Sequence, residues 1–163
     1  MKKILTVVSL LSGILVFGLI LGLATKEGVS QKNSTVTLYY YNESKDQGVG
    51  GTQCTKAGLV PVTRTIPRSA TPIQDTIELL LLGGVTADEK NIGLTSFFPL
   101  DGVSLLTSSL IDGTLTLTFF DPNHKTSGGS CRTTILWSQI EATAKQFKEV
   151  KSVKFIPEEL FQP

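Results

Sequence analysis

The residues best suited to nucleophilic chemistry surround the single histidine of the chain. His124 stands close in sequence to Asp121, Ser127 and Ser130, and a serine hydroxyl becomes a nucleophile only beside a base such as imidazole. A hydrolase of the Ser-His-Asp type would need these side chains to converge. The segment is also rich in turn-forming residues, which account for a solvated histidine without any catalytic role. We therefore predict that the protein is not an enzyme, and we assign no catalytic residue.

Paired carboxylates offer no stronger catalytic centre. Asp75 and Glu78 fall in a predicted helix, near the amino end that already favours acidic side chains. Three aspartates in loops each precede glycine or proline, as turn residues do: Asp101, Asp112 and Asp121. The sequence contains no set of residues with the spacing of metal ligands and no phosphate-binding loop, so we predict no metal and no cofactor.

A row of three tyrosines is the candidate interaction site. Tyr39, Tyr40 and Tyr41 lie in a predicted strand, where alternate side chains face opposite sides. At least one of them should therefore be exposed or lie at an interface. Burial in the core with a polar tip and a platform for a ligand or partner both agree with the pattern.

An uncharged apolar run near the amino terminus predicts where the protein works. Residues 4–23 contain no charge, and at about 1.5 Å per residue they could cross a hydrocarbon core of roughly 30 Å. Lys2 and Lys3 place the start of the chain inside and the rest outside the cytoplasm. Residues 1–25 are either a cleaved signal peptide, cut after Ala24, or a retained single-pass membrane anchor. We predict a linker at 26–35 and one domain at 36–163, bound to the cell membrane or secreted.

The expected state of the two cysteines follows from this predicted location. Cys54 and Cys131 lie in polar loops of the exported portion, and an even pair in an oxidising compartment is most simply a disulfide. A redox-active pair or a metal site are the alternatives. Neither is favoured, because the chain has no Cys-x-x-Cys motif and only one histidine. The sequence therefore predicts a structural disulfide.

The elements that must position these residues can be read from local patterns. Residues 71–84 form the clearest helix, with Thr71 as its cap, Gln74 completing a capping box and glycines at its end. Asp112-Gly113 predicts a hairpin turn between two alternating runs. Other predicted elements are strands at 36–41, 59–66, 94–98 and 150–156, a turn or short helical extension at 86–91, and a second helix from Ser130 or Thr133 to about Phe147.

The predicted order of elements is β-β-α-β-β-β-α-β. Runs of strands interrupted by two amphipathic helices indicate an α+β fold of two layers. We expect the two helices to pack on one mixed or antiparallel β-sheet.

Several of these segments together resemble the GerMN domain of sporulation and spore germination proteins. They are the leucine-rich helix ending in glycines (77–84), the 93–99 segment, the hairpin with Phe119-Phe120-Asp121, and the helix 135–147 leading into 150–153. The resemblance covers roughly residues 36–156. It implies an extracytoplasmic domain of envelope assemblies, similar in shape to the ring-building modules of secretion and sporulation channels, without known catalytic residues. The family's sporulation lipoprotein has two domain copies and a lipidated cysteine, whereas this chain has one copy and none, so fold alone does not carry over a sporulation role.

Two functions therefore remain open. The first is a non-enzymatic envelope domain that binds another envelope protein through its sheet edge or an exposed helix face. The alternative is a module that binds or senses a small molecule or cell-wall glycan in a concave pocket with aromatic lining. The net charge of +1 gives no basis for nucleic-acid binding, and residues 4–23 contact the membrane if they are retained.

Overall fold

The computed structural model describes residues 32–162. Its strands and helices follow in the order β1 (Asn33–Tyr41), β2 (Leu59–Pro67), α1 (Pro72–Leu81), α2 (Ala87–Asn91), β3 (Ser104–Ile111), β4 (Thr114–Phe120), α3 (Ser130–Ala144) and β5 (Ser152–Ile156). The α+β prediction is confirmed. The leader at 1–25, its membrane segment at 4–23 and the linker as far as residue 31 lie outside the described residues. Between 32 and 162, no helix has the length and apolar character needed to cross a membrane.

The strands form two sheets instead of the single sheet predicted. β1 and β2 pair antiparallel from Asn33 opposite Pro67 to Tyr41 opposite Leu59. β3 and β4 form an antiparallel hairpin, and β5 joins the other side of β4 in parallel. Because β1 already begins at Asn33, residues 33–35 of the predicted linker belong to the strand.

The predicted hairpin turn is confirmed, and the glycine stop of the first helix lies where expected. Asp112 and Gly113 both have positive φ, 49° and 82°, as a two-residue hairpin turn requires. Gly83 follows α1 with φ of 65°, and a Cβ there would lie 2.0 Å from the carbonyl oxygen of Phe98. Only glycine fits such a close backbone approach.

Two predicted helix caps and one predicted strand are wrong. Thr71 occupies the predicted N-cap position of α1, but its hydroxyl donates to Asp75 (3.1 Å) and Gln74 donates to Glu78 (2.9 Å), so neither side chain makes a capping hydrogen bond. The capping box lies instead at α2, in the segment predicted as a turn or short extension, between Thr86 and Glu89. Helix α3 has Gly129 at its N-cap and no side-chain cap. The predicted strand at 94–98 is reduced to one bridge, between Thr95 and Tyr41.

The hydrophobic core lies between α1, α3 and the inner faces of both sheets. Its fully buried members include Leu38, Tyr40, Ile77, Leu80, Leu115, Leu117, Leu136 and Ile140. The segment after β5 completes the core, because Leu160 and Phe161 are buried. Phe161 lies against Phe119 and Phe155, with ring centroids 5.4 and 4.9 Å away, which fixes the end of the described chain on the domain.

One ion pair connects the two-stranded sheet to the segment after α1. The Arg64 guanidinium of β2 donates to both carboxylate oxygens of Glu89, at 2.8 and 2.7 Å, and to the Gly84 carbonyl at 3.0 Å. It also lies over the Tyr40 ring, 5.7 Å from the centroid. A bidentate, mostly buried pair of this kind is stronger than ordinary surface ion pairs.

The Arg64–Glu89 pair predicts a specific acid sensitivity. Hydrogen bonds from Arg64 lower the pKa of Glu89 from 4.5 to about 2. A depressed pKa in the folded state contributes stability above the unfolded pKa, and this contribution is lost as pH falls from about 5 toward 2. Glu89→Gln should therefore destabilise the protein by about 1 to 2 kcal/mol at pH 7 and by much less at pH 2.5. Urea unfolding at both pH values measures this difference.

The exposed Glu158 provides the matched control for this prediction. Glu158→Gln should keep the stability of the natural protein at both pH values, because Glu158 makes no ion pair within the described residues. An equal loss for Glu89→Gln at pH 7 and pH 2.5 would contradict the electrostatic origin of the effect.

Candidate functional site

A disulfide joins the long loop between β1 and β2 to the start of α3. Cys54 lies in this loop and Cys131 in the first turn of α3, with their Cα atoms 5.0 Å apart. The bond connects positions 77 residues apart in the chain. It therefore holds the loop, residues 42–58, against an element that follows much later in the sequence.

A buried carboxylate organises the same loop from within. Asp46 is 3% exposed and accepts hydrogen bonds from the Tyr41 hydroxyl (2.6 Å), the Thr55 N–H (2.7 Å) and the Thr55 hydroxyl. Burial by itself would raise the pKa of Asp46, but these donors more than offset it, so the pKa lies below its ordinary value. The charge of Asp46 is thus stabilised inside the loop.

Asn42 fastens the loop to the segment after α2. Its side-chain amide donates to the Ile92 carbonyl at 2.9 Å, and its oxygen accepts from the N–H and hydroxyl of Ser44 at 3.0 and 2.6 Å. The side chain is almost fully buried. Asn42 and Asp46 therefore both use their side chains to shape the loop.

The loop, the 93–97 segment and the start of α3 enclose a cleft of about 670 Å³, which we call the disulfide cleft. Tyr41 and both cysteines form part of its wall. Four of its other wall residues carry polar or aromatic side chains that make no side-chain hydrogen bond within the described residues: Glu43, Gln47, Gln53 and Phe97. The Phe97 ring is 43% exposed. The floor of the cleft is thus held in place, and the side chains at its opening are left without hydrogen-bond partners among the described residues.

The tyrosine row is mostly packed inside the domain. Tyr40 is fully buried and Tyr41 is 6% exposed, with its hydroxyl engaged by Asp46. Burial raises the pKa of Tyr40 and of Tyr41. Tyr39 is half-buried beside Lys56 and Glu141. A contact with a ligand or partner stays a prediction, for which Tyr39 is the most accessible of the three.

The residues around His124 serve the loop that contains them. Asp121 accepts from the N–H groups of Lys125 (2.8 Å) and Thr126 (2.9 Å) and from the Thr126 hydroxyl (2.7 Å). Burial would raise the pKa of Asp121, but these bonds lower it below its ordinary value. His124 is exposed, and no hydrogen bond within the described residues joins its ring to Asp121, Ser127 or Ser130. The structure does not assemble the triad that a hydrolase would need.

Helix α3 and the turn that follows it cover the free edge of β1. Gln146 accepts from the Thr37 N–H and donates to the Thr37 carbonyl, both at 2.7 Å. Thr143 accepts from the Tyr39 N–H (3.2 Å), and Gln139 donates to the Tyr39 carbonyl (3.0 Å). These three side chains occupy backbone groups that a partner strand would use, so this edge is closed to strand addition.

The outer edge of β2 is blunted by proline. Pro61 pairs with Tyr39, whose backbone groups point away from β2 toward α3. Tyr39 and Pro61 therefore form a non-hydrogen-bonded pair, in which the backbone groups of both residues point away from the partner strand. The N–H that Pro61 lacks is thus missing from the exposed edge of β2. Proline at an edge discourages pairing with another strand. Neither edge of the two-stranded sheet therefore suits the predicted sheet-edge contact.

The three-stranded sheet has one open face. Leu115, Leu117 and Phe119 of β4 point into the core, so the alternating residues and their paired neighbours point outward. We call these outward residues the open sheet face: Ser104, Thr107, Ser109, Ile111, Thr114, Thr116, Thr118, Phe120, Ser152, Lys154 and Ile156. Ile111, Phe120 and Ile156 are 68%, 52% and 46% exposed. Lys154 is the one charged member of the face.

Fold and site together define a small α+β domain with a disulfide-bordered cleft and an open sheet face. Over residues 37–158 the chain matches the family described as Germane, sporulation and spore germination. Because this match covers most of the chain, the protein belongs to that family. The resemblance to the GerMN domain is confirmed.

Two solved structures share the fold. The tandem GerMN domains of the sporulation protein GerM from Bacillus subtilis align with 82% of this chain, at 24% identity and a TM-score of 0.53. This chain covers 42% of that longer chain. The first GerMN domain of the same protein aligns with 75% of this chain and 80% of its own length, at 19% identity and a TM-score of 0.52. At such identities the likeness concerns the fold alone. A comparison with curated proteins finds no match.

Proposed function

We propose that this domain is a non-enzymatic, extracytoplasmic assembly module that binds another envelope protein through the open sheet face. The observation that carries the proposal is the composition of that face, which has three exposed apolar side chains and one charge. Protein interfaces are depleted in charge and enriched in large apolar side chains at their centre. The charged fraction of the whole chain is 18%, so this face is unusually poor in charge.

The closed and blunted edges of the β1–β2 sheet favour the same surface. A partner strand would meet Gln139, Thr143 and Gln146 at β1 and Pro61 at β2. A face-to-face contact needs no free backbone groups, because side chains supply its energy. The assembly role deduced from the sequence thus corresponds better to a sheet face than to a sheet edge.

Two features support a location outside the cytoplasm. The first is the disulfide, whose Cys131 is exposed. Reductants in the cytosol would keep such exposed cysteines as thiols, so the bond favours an oxidising compartment. The apolar run at 4–23 provides a route of export. The absence of an enzymatic role is supported by the engagement of Asp121 in its own loop, away from a hydrolytic triad.

Photocrosslinking in the native membrane tests the assembly role. A photoreactive residue in place of Phe120 should yield one dominant crosslinked protein, because that position lies on the open sheet face. A photoreactive residue in place of Leu82, which is 70% exposed at the end of α1, is the matched control and should yield little product. Ile156→Glu should lower the crosslinking yield from position 120 by about tenfold, as a charge buried in an apolar contact costs more than 1.4 kcal/mol.

The three substituted positions, Phe120, Leu82 and Ile156, are all exposed, so the fold should be retained, and the thermal unfolding midpoint verifies this. Equal yields from positions 120 and 82, or a yield from position 120 that Ile156→Glu leaves unchanged, would contradict the proposal.

A further inference from the structure

The disulfide cleft has the dimensions of a ligand site. Its volume of about 670 Å³ falls in the range of roughly 300 to 1,000 Å³ that small-molecule sites occupy. Its floor is held by hydrogen bonds that Asp46 accepts from Tyr41 and Thr55, by the bond that Asn42 donates to Ile92, and by the disulfide. A cleft fixed in this way does not have to be ordered when a ligand binds, which lowers the free-energy cost of binding.

The unengaged side chains around the opening indicate the chemistry of the ligand. Gln47 and Gln53 each present an amide that can donate and accept, and Glu43 presents a carboxylate that accepts. None of the three makes a side-chain hydrogen bond to the described residues. Such a mixture of donors and acceptors matches a compound with several hydroxyl or amide groups better than it matches a purely apolar one.

The Phe97 ring adds an apolar platform beside these polar groups. It is 43% exposed and forms part of the cleft wall. The Arg132 guanidinium lies over the ring, 5.8 Å from its centroid, and donates to the carbonyls of Ser127 and Lys125. Arg132 is thereby fixed, and it steadies the ring. An exposed aromatic face held in place suits a flat apolar surface on the ligand.

The charge of the cleft argues against an anion. Glu43 contributes an unpaired negative charge among the described residues, and Asp46 adds another that its three donors stabilise. No lysine or arginine forms its wall. The carboxylates of Glu43 and Asp46 would repel an anionic ligand, and the Arg132 guanidinium at the Phe97 ring is engaged by the Ser127 and Lys125 carbonyls. An uncharged ligand needs only the hydrogen bonds that the amides and Glu43 offer.

We propose that the disulfide cleft binds a short, uncharged saccharide of N-acetylated amino sugars, one sugar ring stacking on Phe97 while its hydroxyl and amide groups bind Glu43, Gln47 and Gln53. A pyranose has one face of C–H groups and a rim of hydroxyls, which corresponds to this arrangement of one aromatic ring and three polar side chains. The site is separate from the open sheet face, so it adds a ligand to the proposed assembly function and does not depend on it.

Titration with N-acetylglucosamine tetramer tests the proposal on the purified protein with its disulfide formed. Backbone amide signals of residues 43–54 and 93–97 should shift on addition of the tetramer, and those of β4 should not. Phe97→Ala should raise the Kd at least tenfold, and Gln53→Ala should raise it about threefold. Ile111→Ala is the matched control, since Ile111 is also exposed but lies on the open sheet face and not in the cleft wall, and its Kd should equal that of the natural protein.

Other outcomes would overturn the saccharide assignment. An absence of shifts at millimolar tetramer, an unchanged Kd in Phe97→Ala, or displacement of the tetramer by equimolar spermidine would each do so, the last by showing a site for cations. Ile156→Glu should leave the Kd unchanged, and Phe97→Ala should leave crosslinking from position 120 unchanged. A failure of the saccharide site is therefore distinguishable from a failure of the assembly proposal.

Discussion

Replacing Cys54 and Cys131 together by serine should lower the free energy of unfolding by about 4 kcal/mol. The bond closes a loop with a sequence separation of 77 residues, and the entropy that such a crosslink removes from the unfolded chain gives this magnitude as an upper value. Small domains are stable by only about 5 to 15 kcal/mol, so the variant should unfold at a much lower urea concentration. The fluorescence of Trp137, the single tryptophan, can follow the transition.

The reduced natural protein is the control for this variant. If the missing crosslink causes the loss of stability, the natural protein in excess reductant and the double serine variant should have the same unfolding midpoint. A loss below 1 kcal/mol would show that the unfolded chain gains little freedom. Reduction should also speed hydrogen exchange at the Thr55 N–H, because the loop 42–58 then loses its covalent link to α3 and is held by non-covalent contacts such as those of Asp46, Asn42 and Lys56.

Asp46→Ala should destabilise the domain by about 3 kcal/mol. The substitution leaves the Tyr41 hydroxyl and the Thr55 N–H without their acceptor inside the protein, and each unsatisfied buried group costs about 1 to 3 kcal/mol. Thr55 loses a second bond, from its hydroxyl. Urea unfolding at pH 7 measures the loss. Because the pKa of Asp46 is below its ordinary value in the folded protein, the natural protein should also lose this stabilisation as the pH falls through the acidic range and Asp46 becomes protonated.

Glu43→Ala is the matched control for Asp46→Ala, because Glu43 is an exposed acid of the same loop. It should change stability by less than about 0.5 kcal/mol. A double-mutant cycle with Tyr41→Phe isolates the contact between Tyr41 and Asp46. Additive losses in that cycle would show that the 2.6 Å bond contributes nothing of its own.

The elements that could be predicted are those with strong local patterns. The hairpin turn was predictable because positive φ at both Asp112 and Gly113 is a property of two adjacent residues. Helix α1 was predictable from its leucines, but the capping box that the local pattern predicts for it does not form. Gln74 donates to Glu78 and forms a contact with Ser108, so a tertiary neighbour competes for the side chain that the local rule assigns to the cap.

The candidate sites were less accessible to prediction. Asp46 lies in a polar loop where nothing in the neighbouring residues distinguishes a buried carboxylate from a solvated one. Phe97 is exposed while Phe98 is buried, as alternate residues of an extended segment are, but no local pattern shows that the exposed ring borders a cleft. The tyrosine row lies in β1, whereas the cleft beside Tyr41 is formed mostly by residues that follow this strand.

The apolar run at the amino end, the α+β class, the family resemblance and the two cysteines in polar loops could all be recognised in the sequence. These depend on composition and on periodicities within a few residues. The tertiary structure decided that there are two sheets, that β1 is closed and one sheet face open, and that a cleft lies at the disulfide. These features depend on contacts such as the one between Thr37 and Gln146, 109 residues apart, and no local pattern specifies which distant groups meet.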